Sequence, residues 1–187
     1  MTRRVKLWDG HEGTLRPIRP EDADELVAGF KALSDESRHS RFLAYCSTLS
    51  PEMVRYLTEV DGVRHLAYVL TIDDAAAPNG SRGIGVARAV RENETDEEAE
   101  FACTVADAWQ GHGVGRLLME EIALHAWEVG IRRLRGVMLV DNRRMQHVME
   151  QIGDEVERHI EDAGIVSVAY AIHPPRWYLD RQQQLAS

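Results

Sequence analysis

The sequence predicts an α/β chain of the α+β kind, with a mixed, mostly antiparallel sheet of about seven strands flanked by helices. Three observations carry that expectation. Three extended stretches follow one another between residues 65 and 105, a helix-then-strand segment comes after them, and a strand pair closes the chain. Strands joined by short polar turns pair antiparallel, whereas a helical crossover can bring its strand back parallel.

The elements follow in order. Thr14 to Arg19 (TLRPIR) reads as extended, and Pro17 confines it to an edge or entry position because proline donates nothing to a ladder. Pro20 opens a helix whose acidic first turn (Glu21, Asp22, Asp24) suits the positive end of the dipole, with Leu26, Val27, Phe30 and Leu33 on one face. Ser50-Pro51-Glu52 sets an N-cap and a first-turn proline for a second helix over 50–61, striped by Met53, Val54, Leu57 and Val60 and stopped by Asp61-Gly62. His65 to Ile72, Ile84 to Arg91 and Ala99 to Val105 are the three extended stretches, most simply an antiparallel meander.

From Gly113 a helix runs to Val129, with Val114, Leu118, Ile122 and Val129 near one face and Gly130 as its stop. Leu134 to Val140 is a strand, Asn142 to Gln151 a shorter helix, and Val156 to Ile160 with Ile165 to Ile172 a final strand pair. All of this fits one domain over residues 1–187, with residues 1–12 and 181–187 as loose termini and no room for a separate regulatory domain.

Composition narrows the function classes. With 44% hydrophobic and 28% charged residues the chain has the make-up of a soluble globular protein, and no stretch approaches the ~20 apolar residues of a membrane span. The N-terminus has no apolar signal region, so a cytoplasmic location is the default. A formal net charge of −9 opposes nucleic acid and accommodates a cationic partner more easily. The two cysteines, Cys46 and Cys103, make neither a disulfide framework nor a CxxC pair, and the eight histidines show no HxxxH pair, so no metal is expected.

The segment WQGHGVGR, residues 109–116, carries the chemistry. A strand, a glycine loop and a helix aim unpaired N-terminal N–H groups and the positive end of the dipole at an anion, most often a phosphate. The spacing fails both common nucleotide patterns: GxGxxG would need glycine where Arg116 stands, and no GxxxxGK[ST] lysine is present. Read without further context, the segment is either such a cradle or an ordinary glycine turn.

QGHGVG does match [QR]xxGx[GA], and in this it resembles the pyrophosphate loop of the GNAT superfamily of N-acetyltransferases. LRPIRPEDADEL is similar to the first strand and helix of that superfamily, EFACTVADAWQGHGVGRLLMEEI to its acetyl-CoA segment, and VMLVDNRRMQHVMEQIG to the strand and helix that follow. More narrowly, RPIRPEDADELVAGFKALSDESRHSRFL, the AEF of the fourth strand and DNRRMQHVMEQIGDEV resemble the catalytic domain of bacterial protein lysine acetyltransferases of the Pat type. The resemblance implies acetyl-CoA as cosubstrate and an amine acceptor, which in Pat-type enzymes is a protein lysine, typically on an acyl-CoA synthetase. It also implies that the Val105 backbone pairs with pantetheine, that Gln110, Gly111, His112, Gly113, Val114, Gly115 and Arg116 hold the pyrophosphate, and that Asn142 touches the pantetheine arm.

Acetylating a lysine-like amine requires its neutral form, yet such an amine has a pKa of ~10.4. Glu100 is the candidate base, acting directly or through water, because it lies mid-strand five residues before Val105, where the resemblance puts the catalytic glutamate. By its residues alone it reads rather as a solvent-facing carboxylate ending the acidic run ETDEEAE, and the resemblance reverses that preference. Glu98 shares its face by the period of two and is the second choice, while Phe101, Cys103 and Val105 point the other way. The tyrosine that often serves as acid in the superfamily is replaced by Met149, leaving His147 as a weak substitute. Small-amine acetylation and a catalytically silent acyl-CoA-binding module are the alternative functions.

Overall fold

The computed structural model describes residues 2–42, 48–77, 80–161, 164–174 and 178–179. Its strands are β1 (Arg3–Lys6), β2 (Glu12–Pro17), β3 (His65–Asp73), β4 (Ser81–Val90), β5 (Glu98–Val105), β6 (Arg133–Leu139), β7 (Gly153–Ile160) and β8 (Ile165–Ile172). The helices are α1 (Ala23–Ala32), α2 (Asp35–Phe42), α3 (Pro51–Thr58), α4 (Val114–Glu128) and α5 (Arg143–Ile152). The expected mixed sheet is present, with eight strands in the order β1-β2-β3-β4-β5-β6-β8-β7. Every neighbouring pair is antiparallel except β5–β6, which α4 joins as a parallel crossover.

The eighth strand comes from a segment expected to be loose. Residues 1–12 are not a free terminus: Arg3–Lys6 pair with β2, Val5 and Leu7 are buried in the core, and Gly10 turns the hairpin at φ +92°. Two inward apolar side chains at a spacing of two, followed by Asp9-Gly10, are enough to order it. Residues 181–187, Cys46 and Trp177 lie outside the described residues. The helix expected from Pro20 begins as a single 3₁₀ turn over Pro20–Asp22 before α1 takes over.

A further helix, α2, carries no apolar stripe that would announce it, since its sequence is DESRHSRF. It starts where Ser34 Oγ accepts the Ser37 N–H at 3.1 Å and where Asp35 and Glu36 face the positive end of the dipole.

The two faces of the sheet do different work. On one, α4 buries Val114, Leu118, Met119, Ile122, Ala123 and Ala126 against β3, β4 and β5, at roughly 1.5–3 kcal/mol for each large apolar side chain. The approach is close because Gly85 lacks a side chain: a Cβ there would stand 2.8 Å from Val114 Cγ1 and 2.9 Å from Leu118 Cδ1. On the other face α1 and α3 roof a cavity of about 550 Å³, floored by β3, β4 and β5. Along β5 the period of two therefore sorts side chains, with Phe101, Cys103 and Val105 toward the α4 core and Ala102 and Thr104 toward the cavity.

Candidate active site

β5 and β6 part company in the middle of the sheet. Their parallel ladder lasts three residue pairs, Glu98↔Arg133, Ala99↔Leu134 and Glu100↔Arg135, whereas β5 stays paired with β4 as far as Val105↔Gly85. Past Glu100 the β6-facing edge of β5 is thus outside any ladder. Phe101 fills the start of the gap: its Cε1 would be 2.6 Å from a Cβ on Gly136, so the ring occupies the space over β6 that a side chain would need.

Glu100 stands at this fork. It is exposed and, among the described residues, its carboxylate makes no hydrogen bond or ion pair, while its backbone pairs with Val90 and Arg135. Glu98, two residues earlier on the same face, is committed elsewhere, with oxygens 3.6 Å from Arg133 Nε and 3.4 Å from Arg135 Nε. Arg133 is also engaged by Glu157. Of the two carboxylates the sequence puts on this face, Glu98 is in ion pairs and Glu100 is in none among the described residues. Ala102 and Thr104, which share its face, line the roofed cavity.

At the other end of β5, roughly 17 Å away by the rise of about 3.3 Å per residue, lies the glycine loop. A 3₁₀ turn over Asp107–Trp109 leads into Gln110, and Gly111 (φ +81°) and Gly113 (φ +84°) adopt the left-handed conformation that side chains disfavour. Gly113 is the N-cap of α4, and the first intrahelical bond runs from the Leu117 N–H to the Gly113 carbonyl at 3.0 Å. The amides of Val114, Gly115 and Arg116 precede that bond and point out of the helix end. A Cβ on Gly115 would meet Val105 Cγ2 at 3.6 Å, which ties the first turn of α4 to the end of β5.

Side chains around the loop hold it to its neighbours. Gln110 Nε2 donates to Ser37 Oγ at 3.0 Å and to the Val105 carbonyl at 3.4 Å, while its Oε1 accepts from Arg144 at 2.9 Å. Asp107 accepts from the Ser34 N–H at 2.8 Å, from Ser34 Oγ at 2.9 Å and from Ser37 Oγ at 2.5 Å. Burial opposes ionisation of Asp107, but the hydrogen bonds from Ser37 and Ser34 outweigh it and hold the carboxyl below the ordinary range. His112 directs Nδ1 to the Gln110 carbonyl at 3.0 Å and Nε2 to Asp9 at 3.4 Å. The Arg116 guanidinium bonds Glu120 at 2.8 Å, leaving the backbone as its contribution to an anion.

Asn142 caps α5, its Oδ1 accepting from the Met145 N–H at 3.1 Å. Met149 is fully buried and donates no proton, and the exposed His147 bonds Gln151 on the helix surface. Deeper in the cavity wall Arg88 donates to the Leu57 carbonyl at 3.3 Å and lies 2.9 Å from His65 Nε2. Burial and the charge of Arg88 bring His65 down to about 4, so it is neutral at pH 7. Sequence reasoning missed Ser34, Ser37, Asp107 and the Arg88–His65 pair, and read Arg144 as a solvated helix charge, whereas it bonds Gln110. Only Ser34, standing before Asp35-Glu36, left a local signal of its role.

A forked parallel strand pair, a glycine loop that turns into a helix N-terminus, and an uncommitted carboxylate at the fork define an acyl-carrier-binding transferase fold. The acetyltransferase (GNAT) domain model matches residues 14–155, and the chain belongs to that family of acyltransferases. It is 34% identical over 170 residues to the acetyltransferase Pat of Mycolicibacterium smegmatis, covering 91% of this chain and 49% of that protein. An acetyltransferase of Pseudomonas aeruginosa is 29% identical over 157 residues, covering 84% and 82% of the two chains.

Among solved structures, the GNAT domain of Streptomyces lividans PAT superposes with a TM-score of 0.79 at 34% identity, covering 91% of this chain and 97% of that one. A cAMP-binding acyltransferase from Mycobacterium smegmatis superposes at 0.62 with 27% identity, covering 97% of this chain and 52% of that one. The chain thus spans about half the length of the mycobacterial relatives. GNAT domains use acetyl-CoA. The left-handed glycines, the outward amides of α4 and the free edge of β5 suit its diphosphate and its amide-bearing arm. Among the described residues no group of three or more His, Cys, Asp or Glu side chains could hold a metal ion, and no helix is long and apolar enough to cross a membrane.

Proposed function

We propose that the chain transfers an acetyl group from acetyl-CoA to a protein lysine by direct attack, with Glu100 as general base. The observation that carries this reading is the carboxylate of Glu100, uncommitted at the fork of β5 and β6 while Glu98 is bound by two arginines. The thioester supplies an activated acetyl group. The outward amides of Val114, Gly115 and Arg116 bind the diphosphate, with Gly111 leaving room for it and Gln110 and His112 bracing the loop. The exposed edge of β5 up to Val105 orients the pantetheine amides and polarises the reacting carbonyl, and Asn142 holds the start of α5 against the arm.

Glu100 takes the proton of the incoming ammonium, directly or through a water, and the neutral amine attacks the carbonyl carbon. The nitrogen–carbon bond forms, the carbon–sulfur bond breaks, the coenzyme leaves as a thiolate, and the second proton shed by the new amide nitrogen passes to that thiolate or to solvent. A thiol pKa of ~8.5 makes that departure feasible without a tyrosine at Met149. The choice of a protein lysine rests on the likeness to Pat, and a cytoplasmic setting accords with such an acceptor.

The test is a panel of lysine-bearing acyl-CoA synthetase proteins and small amines incubated with labelled acetyl-CoA. Label on a protein lysine is the expected result, whereas transfer to small amines alone would overturn the choice of acceptor. Binding of acetyl-CoA without acetylation of any acceptor would mark a silent acyl-CoA-binding module.

A further inference from the structure

The turn between β1 and β2 lies outside the matched GNAT region, which begins at Thr14, and it sits on the glycine loop. The Trp8 N–H donates to the His112 carbonyl at 3.3 Å, and a Cβ on Gly113 would fall 2.9 Å from Trp8 Cε2 and 3.0 Å from its Nε1. The indole therefore packs directly against the N-cap of α4. Gly113, with no side chain, is what lets it approach.

The turn is held firmly. Leu7 is buried in the core, the Leu7 N–H donates to the His11 carbonyl at 2.8 Å, and the Gly10 N–H donates to the Leu7 carbonyl at 3.0 Å. Asp9 accepts the His11 N–H at 3.0 Å and reaches His112, while the His11 ring meets Trp109 edge-on at 5.4 Å. Yet Trp8 remains 69% exposed. Folding thus places a large aromatic plane beside an anion-binding helix end, fixes it by main-chain bonds and leaves most of it in water. That arrangement exposes apolar surface that the fold itself does not use.

From this geometry, and resting on the reading of Gln110–Arg116 as a coenzyme A cradle, we infer that Trp8 is an adenine-contacting residue. One side of the indole packs against Gly113 and its open surface receives the base of the nucleotide whose diphosphate lies on α4. Base-on-aromatic stacking of this kind changes affinity by roughly 5- to 100-fold and requires a plane already ordered in the free protein.

The test measures calorimetric binding of coenzyme A and of 4′-phosphopantetheine, which lacks the adenosine together with its 3′- and 5′-phosphates, to the full chain and to its Trp8→Ala and Trp8→Phe variants. Trp8→Ala is expected to weaken coenzyme A binding roughly 5- to 100-fold and to leave 4′-phosphopantetheine within about twofold, with Trp8→Phe recovering most of the loss. Equal loss of both ligands would reduce Trp8 to a prop for the loop and overturn the inference. Unchanged or tighter coenzyme A binding by Trp8→Ala would overturn it too. If the unsubstituted chain bound neither ligand, the cradle itself would be wrong, a failure distinct from the other two.

Discussion

Replacing Glu100 by Gln keeps the shape of the side chain and removes the base. Because Glu100 is exposed and its carboxylate makes no hydrogen bond or ion pair among the described residues, the substitution leaves the fork and its main-chain ladder intact, so the loss falls on catalysis. A lysine-like acceptor of pKa ~10.4 is neutral in about one molecule per thousand at pH 7.4. Without a base, turnover must draw on that fraction, and the expected fall in kcat is roughly 10³-fold, within the 10²–10⁴ typical of general bases. In barrier terms it is about 4 kcal/mol.

The deficit should then shrink about tenfold for each unit of pH as the amine loses its proton unaided. Steady-state kinetics with labelled acetyl-CoA from pH 7 to 9, with binding followed by calorimetry, reads both effects. A variant within about twofold of the parent at pH 7.4, or a deficit that stays constant with pH, would refute the assignment. Glu98→Gln is the control, since it breaks only half-exposed ion pairs worth about 0.2–1 kcal/mol each and should leave kcat near the parent value.

Three further outcomes are expected. Gly136→Ala drives a Cβ into the Phe101 ring, 2.6 Å from Cε1, and should cost about 1–3 kcal/mol, seen as a fall in Tm of several degrees; an unchanged Tm would show that the fork is not filled as described. Gly113→Ala forces a side chain into φ +84° and against Trp8, so it should weaken acetyl-CoA binding at least tenfold in calorimetry, and binding at parental strength would count against the cradle.

The third concerns acid. His65 is held near 4, below its unfolded value of about 6.5, so the folded state binds fewer protons there; the associated stability is present above pH 6.5 and is lost as pH falls toward 4. Thermal melts of the parent and of His65→Gln should converge across that window, and parallel curves would discount the Arg88–His65 contact as the cause.

How far these features could be read in the chain depends on how local their causes are. The helix from Val114, the meander of β3 to β5 and the alternation along Glu98–Val105 each leave a periodic trace, and all stand where that trace puts them. The β1 hairpin also left one, Val5 and Leu7 ahead of Asp9-Gly10, but a strand of four residues is too short to outweigh a terminal position. α2 had no apolar stripe to show, and its start is settled by Ser34 and Ser37 bonding to Asp107, 73 and 70 residues further along the chain. Residue patterning did not separate Glu98 from Glu100, and only the resemblance ranked Glu100 first: what separates them in the fold is Arg133 and Arg135 on a neighbouring strand. Arg144 reads locally as a solvated helix charge, and only folding brings it to Gln110.

The three-pair ladder between β5 and β6 has a consequence beyond the chemistry. Among the described residues it is the sole parallel junction in the sheet and the shortest, so the two halves of the sheet meet at a narrow seam with main-chain groups of β5 left over beside it. A molecule that bonds to that edge while resting on α4 acts as a removable piece of sheet. Its concentration becomes a variable of folding: at a hundredfold excess over its Kd it adds about 2.7 kcal/mol to the native state. The protein's persistence at its working temperature would then rise and fall with the supply of the compound that it consumes.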